Sequence, residues 1–435
     1  MGTIERYNLE NIKGGLKMTE AYRSRFRTLT DGSDAPADAD HHIFIGPQHP
    51  WAEEPAHFII HVKGERVVEA NIRIGFNLRG IEKAMEARTW RQNTMLVPRA
   101  CGICSAVHQN VYVRVVDRLA GVEDQISERA RLIRMFSLEA ERVHSHILWY
   151  GILAHDAGFD TMLHITWRDR EIIMDIVEDF SGNRVNPALM LPGGVKRDIP
   201  PEKIKRAKPR INELIKKVEY HRKVFTEEAS IRNRLENVGI LTKEDAKKTT
   251  PNGPTGRGSG LPFDVRKSYP YELYDKIDWN MVYYTEGDIL ATTLVRVDET
   301  LESLRICNQV LDRLESTQGE LLLRVKPRIP EGSYMTRAEA PRGEDIHYGI
   351  ANGTDKPERY KIRAPSLGNI DASLKRMDGE YIADMPVILR SYDPCFSCTN
   401  RVMIINDKTG EKMVMHQDEF AKKAIKAKRY NRPFF

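Results

Sequence analysis

Two pairs of cysteines carry the clearest chemical signal in this 435-residue sequence. The first pair, Cys101 and Cys104, lies in RACGICSAVH and is followed by His108. The second pair, Cys395 and Cys398, lies in SYDPCFSCTNR near the other end of the chain. Cysteines two residues apart can bind zinc, iron–sulfur clusters or other soft metal ions, or can form a redox dithiol. The spacing alone leaves these alternatives open.

A structural zinc site is the simplest interpretation of four cysteines in two C-x-x-C pairs. Such sites usually take their ligands from two knuckles separated by about 15–20 residues, whereas these pairs lie at opposite ends of the chain. A metal bound by both pairs would therefore connect the whole fold. The fifth cysteine, Cys307, lies in a helical pattern and is expected to be a small buried apolar residue.

Three further segments contribute polar side chains that could join such a site. They are GPQHPWAEEP, NLRGIEKAME and EAPRGEDIHYG. A charged residue in a loop is usually solvated, so each residue taken alone favours a structural role. The candidates in these segments are His49, Glu53, Glu54, Arg79, Glu82, Arg342, Glu344 and His347.

A second metal interpretation rests on two Glu-x-x-His matches, Glu141 with His144 and Glu344 with His347. Di-iron carboxylate bundles use this spacing, together with further carboxylates on partner helices. The second match is flanked by proline and glycine and has no helical pattern, which argues against a di-iron site. We therefore expect His144 and the nearby His146 to pack or hydrogen-bond within their helix.

Composition limits the class of protein. The 67 basic and 62 acidic residues are interspersed and give a net charge of +5, which argues against a nucleic-acid partner. A hydrophobic content of 41% is enough for a large core. No apolar run approaches the roughly 18–20 residues that cross a bilayer, and the polar N-terminus does not resemble a signal peptide. We expect a soluble chain from a reducing compartment, because cysteines are few.

The pattern of apolar residues predicts an α+β fold in which helices predominate. HFIIHVKGERVVEANIRIG predicts a β-hairpin with its turn at residues 63–65. GIEKAMEARTWRQNTMLV predicts one helix that leads to Cys101. Four long amphipathic helices, the first starting at Ser127 and the second ending at Gly182, predict a bundle core. Short strands after Lys326 predict an α+β cap over that bundle.

These elements divide the chain into five consecutive parts. The predicted ranges are 1–42 for a polar N-terminal extension, 43–124 for an α+β segment with the hairpin and the first cysteine pair, 125–325 for the long-helix bundle, 326–401 for the α+β cap with the second cysteine pair, and 402–435 for a C-terminal tail. The pattern within the tail indicates a short strand pair and then a basic helix.

The motifs RACGICSAVH, DPCFSCTNR and EAPRG together resemble those of the large subunit of nickel–iron hydrogenases. The resemblance is greater to the membrane-bound, energy-converting branch, group 4, which includes ferredoxin-linked, carbon-monoxide-linked and formate-hydrogenlyase enzymes. Segments such as GPTGRGSGLPFDVRKSYPYELY also resemble the 49-kDa quinone-site subunit of respiratory complex I, which lacks the nickel cysteines. The resemblance extends from Ile45 to Arg401 and implies a nickel–iron hydrogenase large-subunit fold.

The resemblance implies a nickel–iron centre held by the four cysteines. Cys101 and Cys395 would bind nickel alone, while Cys104 and Cys398 would bridge nickel to an iron that carries cyanide and carbon monoxide. Soft thiolate ligands suit these metals. The implied chemistry is the heterolytic splitting of hydrogen, with the Cys395 thiolate taking the proton.

The resemblance also implies roles for residues around that centre. Arg342 would lie beside the diatomic ligands of the iron, where a guanidinium can donate to cyanide. His108 would support a bridging thiolate from its side. Glu54 matches the first proton relay and would exchange a proton with Cys395. The predicted catalytic residues are therefore Glu54, His108, Arg342 and Cys395.

Two features depart from the pattern of the wider family. In uptake hydrogenases, the glutamate that matches Glu82 and a histidine at the position of Arg401 bind magnesium. The arginine argues against magnesium at Glu82, although it is familiar in group 4. Many relatives remove a C-terminal extension at the residue that matches Arg401 after nickel insertion, so the tail is either a processing peptide or a retained extension.

The implied function is reversible hydrogen oxidation and proton reduction within a membrane complex. The resemblance leaves no cysteines for an iron–sulfur cluster, so a 4Fe–4S cluster is expected in a partner small subunit. Membrane-anchor and antiporter-like subunits would hold the chain at the cytoplasmic side of the membrane and translocate ions. Ferredoxin, carbon monoxide dehydrogenase or formate dehydrogenase would supply electrons. The alternative is a quinone or sulfane-sulfur reductase subunit without hydrogenase activity.

Overall fold

The computed structural model describes residue 36, residues 39–399 and two short strands, Ile404–Ile405 and Lys412–Met413. Those two strands pair antiparallel, which confirms the predicted strand pair of the tail. The basic helix predicted after them, Arg401, and most of the predicted N-terminal extension lie outside the described residues.

The N-terminal part contains a three-stranded antiparallel sheet. Its strands are β1 (His41–Ile45), β2 (His57–Lys63) and β3 (Arg66–Arg73), in the order β1-β2-β3. The predicted hairpin is confirmed, and Gly64 adopts the left-handed conformation that its turn requires, with φ 57°. Strand β1 begins within the predicted polar extension and was not predicted, because its sequence, HHIFI, gives no alternation of polar and apolar residues.

The prediction of one helix before Cys101 is wrong, because that segment forms two helices. They are α1 (Ile81–Glu86) and α2 (Trp90–Leu96), and a 3-10 turn, Val97–Ala100, follows them. Thr89 begins α2 with a capping box, in which Thr89 and Gln92 each bind the backbone N–H of the other. In a continuous helix these N–H groups would donate to carbonyl oxygens of the preceding turn. Here side chains accept from them instead, so a new helix begins at Thr89. A helix that the sequence analysis did not predict, α3 (Ser105–Leu119), begins directly after Cys104.

The predicted bundle is confirmed. The helices of this region are α4 (Glu128–Asp156), α5 (Asp160–Ser181), α6 (Pro201–Glu227), α7 (Ala229–Leu235), α8 (Lys243–Thr249), α9 (Gly253–Arg257), α10 (Val265–Ser268) and α11 (Ile289–Ser316), with the short strands β4 (Met190–Leu191) and β5 (Gly194–Val195) between α5 and α6. The four long helices form a ring, since α4 and α6 each pack against both α5 and α11. Ser127 caps α4 by accepting from the N–H of Ala130, and α5 ends at Gly182, as predicted.

The last third of the described chain forms the predicted α+β cap. Strands β6 (Gly332–Ala340), β7 (Gly343–Ala351) and β8 (Pro357–Arg363) make an antiparallel sheet in the order β6-β7-β8, and are longer than the short strands expected. Helices α12 (Pro365–Lys375), α13 (Met385–Ser391) and α14 (Phe396–Thr399) follow. Arg342 therefore lies in the tight turn between β6 and β7.

Helix α3 connects the parts of the fold that carry the cysteines. It packs against β6 and β7 on one side and contacts α4 of the bundle on the other. Most of the buried apolar side chains, from Ala56 to Phe396, form one continuous core, so the sheet, the bundle and the cap are packed together. In the described part of the chain, no helix has both the length and the apolar character needed to cross a membrane.

Candidate functional site: two cysteine pairs brought together

The first cysteine pair lies where the backbone changes from a 3-10 turn to a helix. Cys101 is extended, with φ −143° and ψ 131°, and Cys104 is the residue that precedes the first turn of α3. Both side chains are buried. Cys104 is thereby fixed by the start of a helix, because the N–H of His108 donates to its carbonyl oxygen at 3.2 Å.

A buried carboxylate completes the N-terminus of α3. Glu141, from α4, accepts hydrogen bonds from the hydroxyl of Ser105 at 3.1 Å and from the N–H groups of Ala106 and Val107 at 2.6 and 2.9 Å. These bonds satisfy N–H groups at the start of the helix that have no partner within it. Burial raises the pKa of Glu141 to about 7, against the lowering effect of the bonds.

The two Glu-x-x-His matches do not form a common site in the described chain. Glu141 accepts hydrogen bonds from the N-terminus of α3. Glu344 lies on β7 and pairs with Arg337 at 3.1 Å and with Arg363 at 3.3 Å. Burial lowers the pKa of His144 to about 3, so its imidazole is neutral, and its carbonyl oxygen accepts from Arg170. These contacts argue against the di-iron interpretation.

The second cysteine pair follows the end of α13. The backbone N–H of Cys395 donates to the hydroxyl of Ser366 at 3.1 Å, which connects the loop to α12. Cys395 is buried, and Cys398 is half-buried with its thiol donating to the carbonyl of Cys395 at 3.3 Å. Asp393 has a positive φ of 57°, which allows the sharp turn before the pair.

The fold brings the two pairs into contact. The Sγ atoms of Cys101 and Cys395 are 3.2 Å apart, and the Sγ atom of Cys398 lies within 4.8 Å of both. Disulfide sulfurs are separated by about 2.05 Å, so these cysteines are free. Hydrogen bonds from Cys104, Cys395 and Cys398 lower the pKa of Cys101, and the same bonds raise those of Cys104 and Cys398. The group is a compact set of soft sulfur donors.

Arg342 lies beside this sulfur group and is held rigidly. Its Nε and Nη2 atoms donate to the carbonyl and carboxylate of Asp393 at 2.9 and 2.7 Å, and its Nη1 atom donates to Ser145 at 3.3 Å. Burial opposes the charge, but Asp393 and the nearby cysteine thiolates outweigh it and raise the pKa of Arg342. A permanent, buried positive charge therefore lies next to the four thiols.

Glu54 contacts α14, the helical turn at which the second pair lies. Its carboxylate accepts from the backbone N–H of Ser397 at 2.8 Å and from the Ser397 hydroxyl. Ser397 lies between Cys395 and Cys398, and the charge of Glu54 contributes to raising the pKa of Cys395. The predicted proton relay is thus close to the thiol with which it is expected to exchange.

Arg79 is a part of the site that the sequence analysis left unassigned. Its guanidinium donates to the carbonyl oxygens of Arg99 and Ala100, both at 2.6 Å, and to that of Ser397 at 3.1 Å. Ala100 and Ser397 immediately precede Cys101 and Cys398, so Arg79 connects the two cysteine segments. The only sequence signal for Arg79 was its place in the polar segment NLRGIEKAME, because every residue has a backbone carbonyl and contacts with it do not depend on residue type.

The other candidates make separate contacts. Glu82 accepts from Lys361 at 2.7 Å and from the N–H of Ile362 at 2.9 Å. Glu53 is exposed and pairs with Arg390 at 3.3 Å. His49 accepts from the N–H of Trp51 at 3.3 Å. Magnesium at Glu82 stays a prediction that no contact among the described residues supports.

His108 and Cys307 are both fully buried but differ in their surroundings. Cys307 lies inside α11, and burial raises the pKa of its thiol, which confirms the prediction of a buried apolar role. His108 lies one helical turn after Cys104 and faces Asp345 and His347. Asp345 was not predicted, because the adjacent Glu344 offers the same carboxylate and the sequence does not reveal which of the two faces the site.

Comparison with known proteins agrees with these observations. The family described as "Respiratory-chain NADH dehydrogenase, 49 Kd subunit" matches residues 156–326 and 321–401, and the family "Nickel-dependent hydrogenase" matches residues 79–162. The membrane-bound hydrogenase subunit alpha of Pyrococcus furiosus is 38% identical over 404 residues, which cover 88% of this chain and 92% of the relative. The carbon monoxide-induced hydrogenase of Rhodospirillum rubrum is 37% identical and covers 82% of this chain and 97% of its own.

A solved structure shows the same fold. One chain of the membrane-bound sulfane sulfur reductase, an archaeal respiratory membrane complex, matches with a TM-score of 0.79 and 33% sequence identity. The match covers 84% of this chain and the whole of the other. The chain therefore belongs to the family of nickel-dependent hydrogenase large subunits and complex I 49-kDa subunits, within its group 4, membrane-bound hydrogenase branch.

Proposed function

We propose that this chain is the catalytic large subunit of a membrane-associated [NiFe]-hydrogenase complex that interconverts hydrogen with protons and electrons. The observation that carries the proposal is the convergence of both cysteine pairs, with Cys101 and Cys395 in contact. The four thiols of the two pairs are free, three of them are buried, and the relatives named as hydrogenases support a catalytic role for them.

The donor set fits a nickel–iron centre. Cys101 and Cys395 would bind nickel, and Cys104 and Cys398 would be shared with an iron that carries cyanide and carbon monoxide. Soft thiolates favour such metals over magnesium or calcium. When bound, the centre would supply the site at which hydrogen is split. The thiols are hydrogen-bonded to one another. Binding of the metal ions would displace the thiol protons, because cysteines bind metal ions as thiolates.

Arg342 supports this chemistry by its charge. Four thiolates and cyanide would make an anionic site, and a guanidinium that stays charged in the interior would offset part of that charge. Asp393 fixes two of its nitrogen atoms, which leaves Nη1, now bound to Ser145 at 3.3 Å, as the donor most easily redirected. We assign Arg342 to stabilise the diatomic ligands of the iron.

Glu54 supports the transfer of protons. It is anchored by Ser397, and its charge acts on Cys395, so a proton leaving the Cys395 thiol has an acceptor nearby. The carboxylate is half-buried, which gives it a route to solvent. We assign Glu54 as the first proton acceptor and donor.

Electron transfer needs a second protein. The five cysteines of the chain comprise the four of the site and Cys307, which lies inside α11. We propose that an iron–sulfur small subunit takes the electrons, and that membrane-anchor and antiporter-like subunits hold the chain at the cytoplasmic face of the membrane. Ferredoxin, carbon monoxide or formate would be the source of electrons, and ion translocation would be coupled to the reaction.

A second candidate function is supported by the match to the sulfane sulfur reductase. In that case the same four thiols would act on sulfur or quinone chemistry without hydrogenase activity. Infrared spectroscopy combined with nickel and iron analysis of the purified complex separates the two. Nickel with iron and the stretching bands of cyanide and carbon monoxide is expected. A complex that lacks both the bands and nickel would overturn the proposal.

A further inference from the structure

A second group of possible metal ligands lies beyond the cysteine site. It consists of His108 on α3 and of Asp345 and His347 on β7, and all three side chains are fully buried. The proposed hydrogenase chemistry uses His108 only as support for a thiolate and requires neither Asp345 nor His347. A buried carboxylate between two imidazoles therefore needs its own explanation.

The three facing atoms form a nearly equilateral triangle. His108 Nδ1 is 2.9 Å from Asp345 Oδ2, His347 Nε2 is 3.2 Å from the same oxygen, and the two nitrogens are 3.1 Å apart. With metal–ligand bonds of about 2.0–2.2 Å, neighbouring ligands of one ion are separated by about 3.0–3.5 Å. The triangle has the size of one face of such a coordination shell.

Hydrogen bonds alone do not account for this arrangement. The two nitrogens face each other, so only one of them can carry the proton between them. Neither oxygen of Asp345 has an aligned donor, although both imidazoles lie within ion-pair distance. A cation inside the triangle would satisfy the carboxylate and both nitrogen lone pairs at once.

One contact of His347 favours the ligand form that a metal ion requires. The Nδ1 atom of His347 is 3.0 Å from the hydroxyl of Tyr360, which can accept a hydrogen bond from a protonated Nδ1 and so leave the Nε2 lone pair for a metal. Burial keeps the Tyr360 hydroxyl neutral by raising its pKa.

We propose that His108, Asp345 and His347 bind a divalent first-row transition ion, of the zinc or iron(II) class. Two imidazoles and one carboxylate are ligands that these ions prefer, and a calcium ion would need more oxygen atoms. Binding through Nδ1 fixes the proton of His108 on Nε2, the ring atom that is buried and has no partner among the described residues. The ion would thereby make His108 a fixed hydrogen-bond donor, one helical turn from Cys104.

The test is a metal count on the purified complex, with metals located by anomalous diffraction at the zinc and iron edges. One ion per chain is expected at the triangle in the wild type. Asp345→Asn should reduce its occupancy at least about tenfold, because even residues that only orient metal ligands change affinity by about 10–100-fold. Glu344→Gln, the neighbouring carboxylate on β7, is the matched control and should keep the ion.

Two results would overturn the proposal. One is a wild-type complex without an anomalous peak at the triangle, and the other is an Asp345→Asn complex with the same peak as the wild type. His347→Gln serves as a second variant if Asp345→Asn does not assemble, and it should also lose the ion. Nickel at the cysteines is counted separately, so a failure of the proposed hydrogenase function would leave this test intact.

Discussion

The two cysteine pairs are held in different ways, although they have the same spacing. The first pair is part of a regular element, since Cys104 begins α3 and Glu141 completes the N-terminus of that helix. The second pair lies at a single helical turn, with Cys395 directly before α14 and Cys398 within it, and this turn is kept in place by side chains from distant parts of the chain, among them Glu54 and Arg342. One half of the site is therefore prepared by local structure, and the other depends on tertiary contacts.

This difference indicates how the site is assembled. Removing a side-chain contact from the second pair should displace its sulfur atoms or change their protonation, because few backbone hydrogen bonds hold this segment in place. Removing a contact from the first pair, at the N-terminus of α3, should change the free energy of unfolding more than the catalytic activity, because α3 is packed between the cap and the bundle. Substitutions in the two halves can test this expectation.

The largest effect is expected for Cys395→Ser, which removes a sulfur from the contact with Cys101. A serine hydroxyl is a hard donor and does not replace a thiolate at nickel. Nickel in the purified complex should fall to background, together with hydrogenase activity. Cys307→Ser, in the buried interior of α11, should keep nickel, and a Cys395→Ser complex with normal nickel would show that this sulfur is not a ligand.

Glu54→Gln should have the next largest effect. The amide keeps the shape of the carboxylate but cannot accept a proton, so hydrogen–deuterium exchange should slow by about 10²–10⁴-fold, the usual range for loss of a general acid or base. Metal content should be unchanged. Glu53→Gln is the neighbouring control and should exchange at close to the wild-type rate; wild-type exchange in Glu54→Gln would refute the relay.

Arg342→Lys should be intermediate. Lysine keeps the charge but cannot bind Asp393 through two nitrogens, and it no longer presents a planar donor. We expect about 10–100-fold lower activity, as for other residues that support metal ligands, and a shift of the cyanide bands in the infrared spectrum. Unshifted bands would show that Arg342 does not contact those ligands.

Glu141→Gln should affect stability more than activity. Burial raises the pKa of Glu141 to about 7, so the folded state holds this proton more tightly than the unfolded chain does. The wild type should then lose about 3 kcal/mol of unfolding free energy as pH rises from about 4.5 to about 7. The variant should lack this component, as measured by chemical unfolding at several pH values. An identical pH dependence in both proteins would contradict the assignment.

Much of the fold could be predicted from periodicity. The long helices have clear apolar patterns and start or stop signals, such as Ser127 and Gly182, and all of them are present. The division between α1 and α2 was missed because it depends on a reciprocal side-chain bond at Thr89, which periodicity does not reveal. Helix α3 was not predicted, although polar residues recur along it at helical spacing, among them Ser105, His108 and Gln109, all of which are buried.

The chemistry of the site stays a prediction from the sequence, and the contacts that support its residues could not be predicted. The cysteine motifs carry a recognisable spacing, and the resemblance pointed to Glu54 and Arg342. Arg79 and Asp345 could not be found in this way, because their roles depend on backbone carbonyls and on a strand register that form only in the folded chain. Contacts between distant segments leave little trace in a single sequence.

The most direct test of the central claim is anomalous diffraction from the purified complex at the nickel and iron edges. If the two pairs are halves of one metal site, the anomalous maps should show a single nickel within bonding distance of all four cysteine sulfurs, with one iron shared by Cys104 and Cys398. Zinc at the four sulfurs, or metal bound to one pair only, would contradict the claim that the two pairs form one catalytic centre.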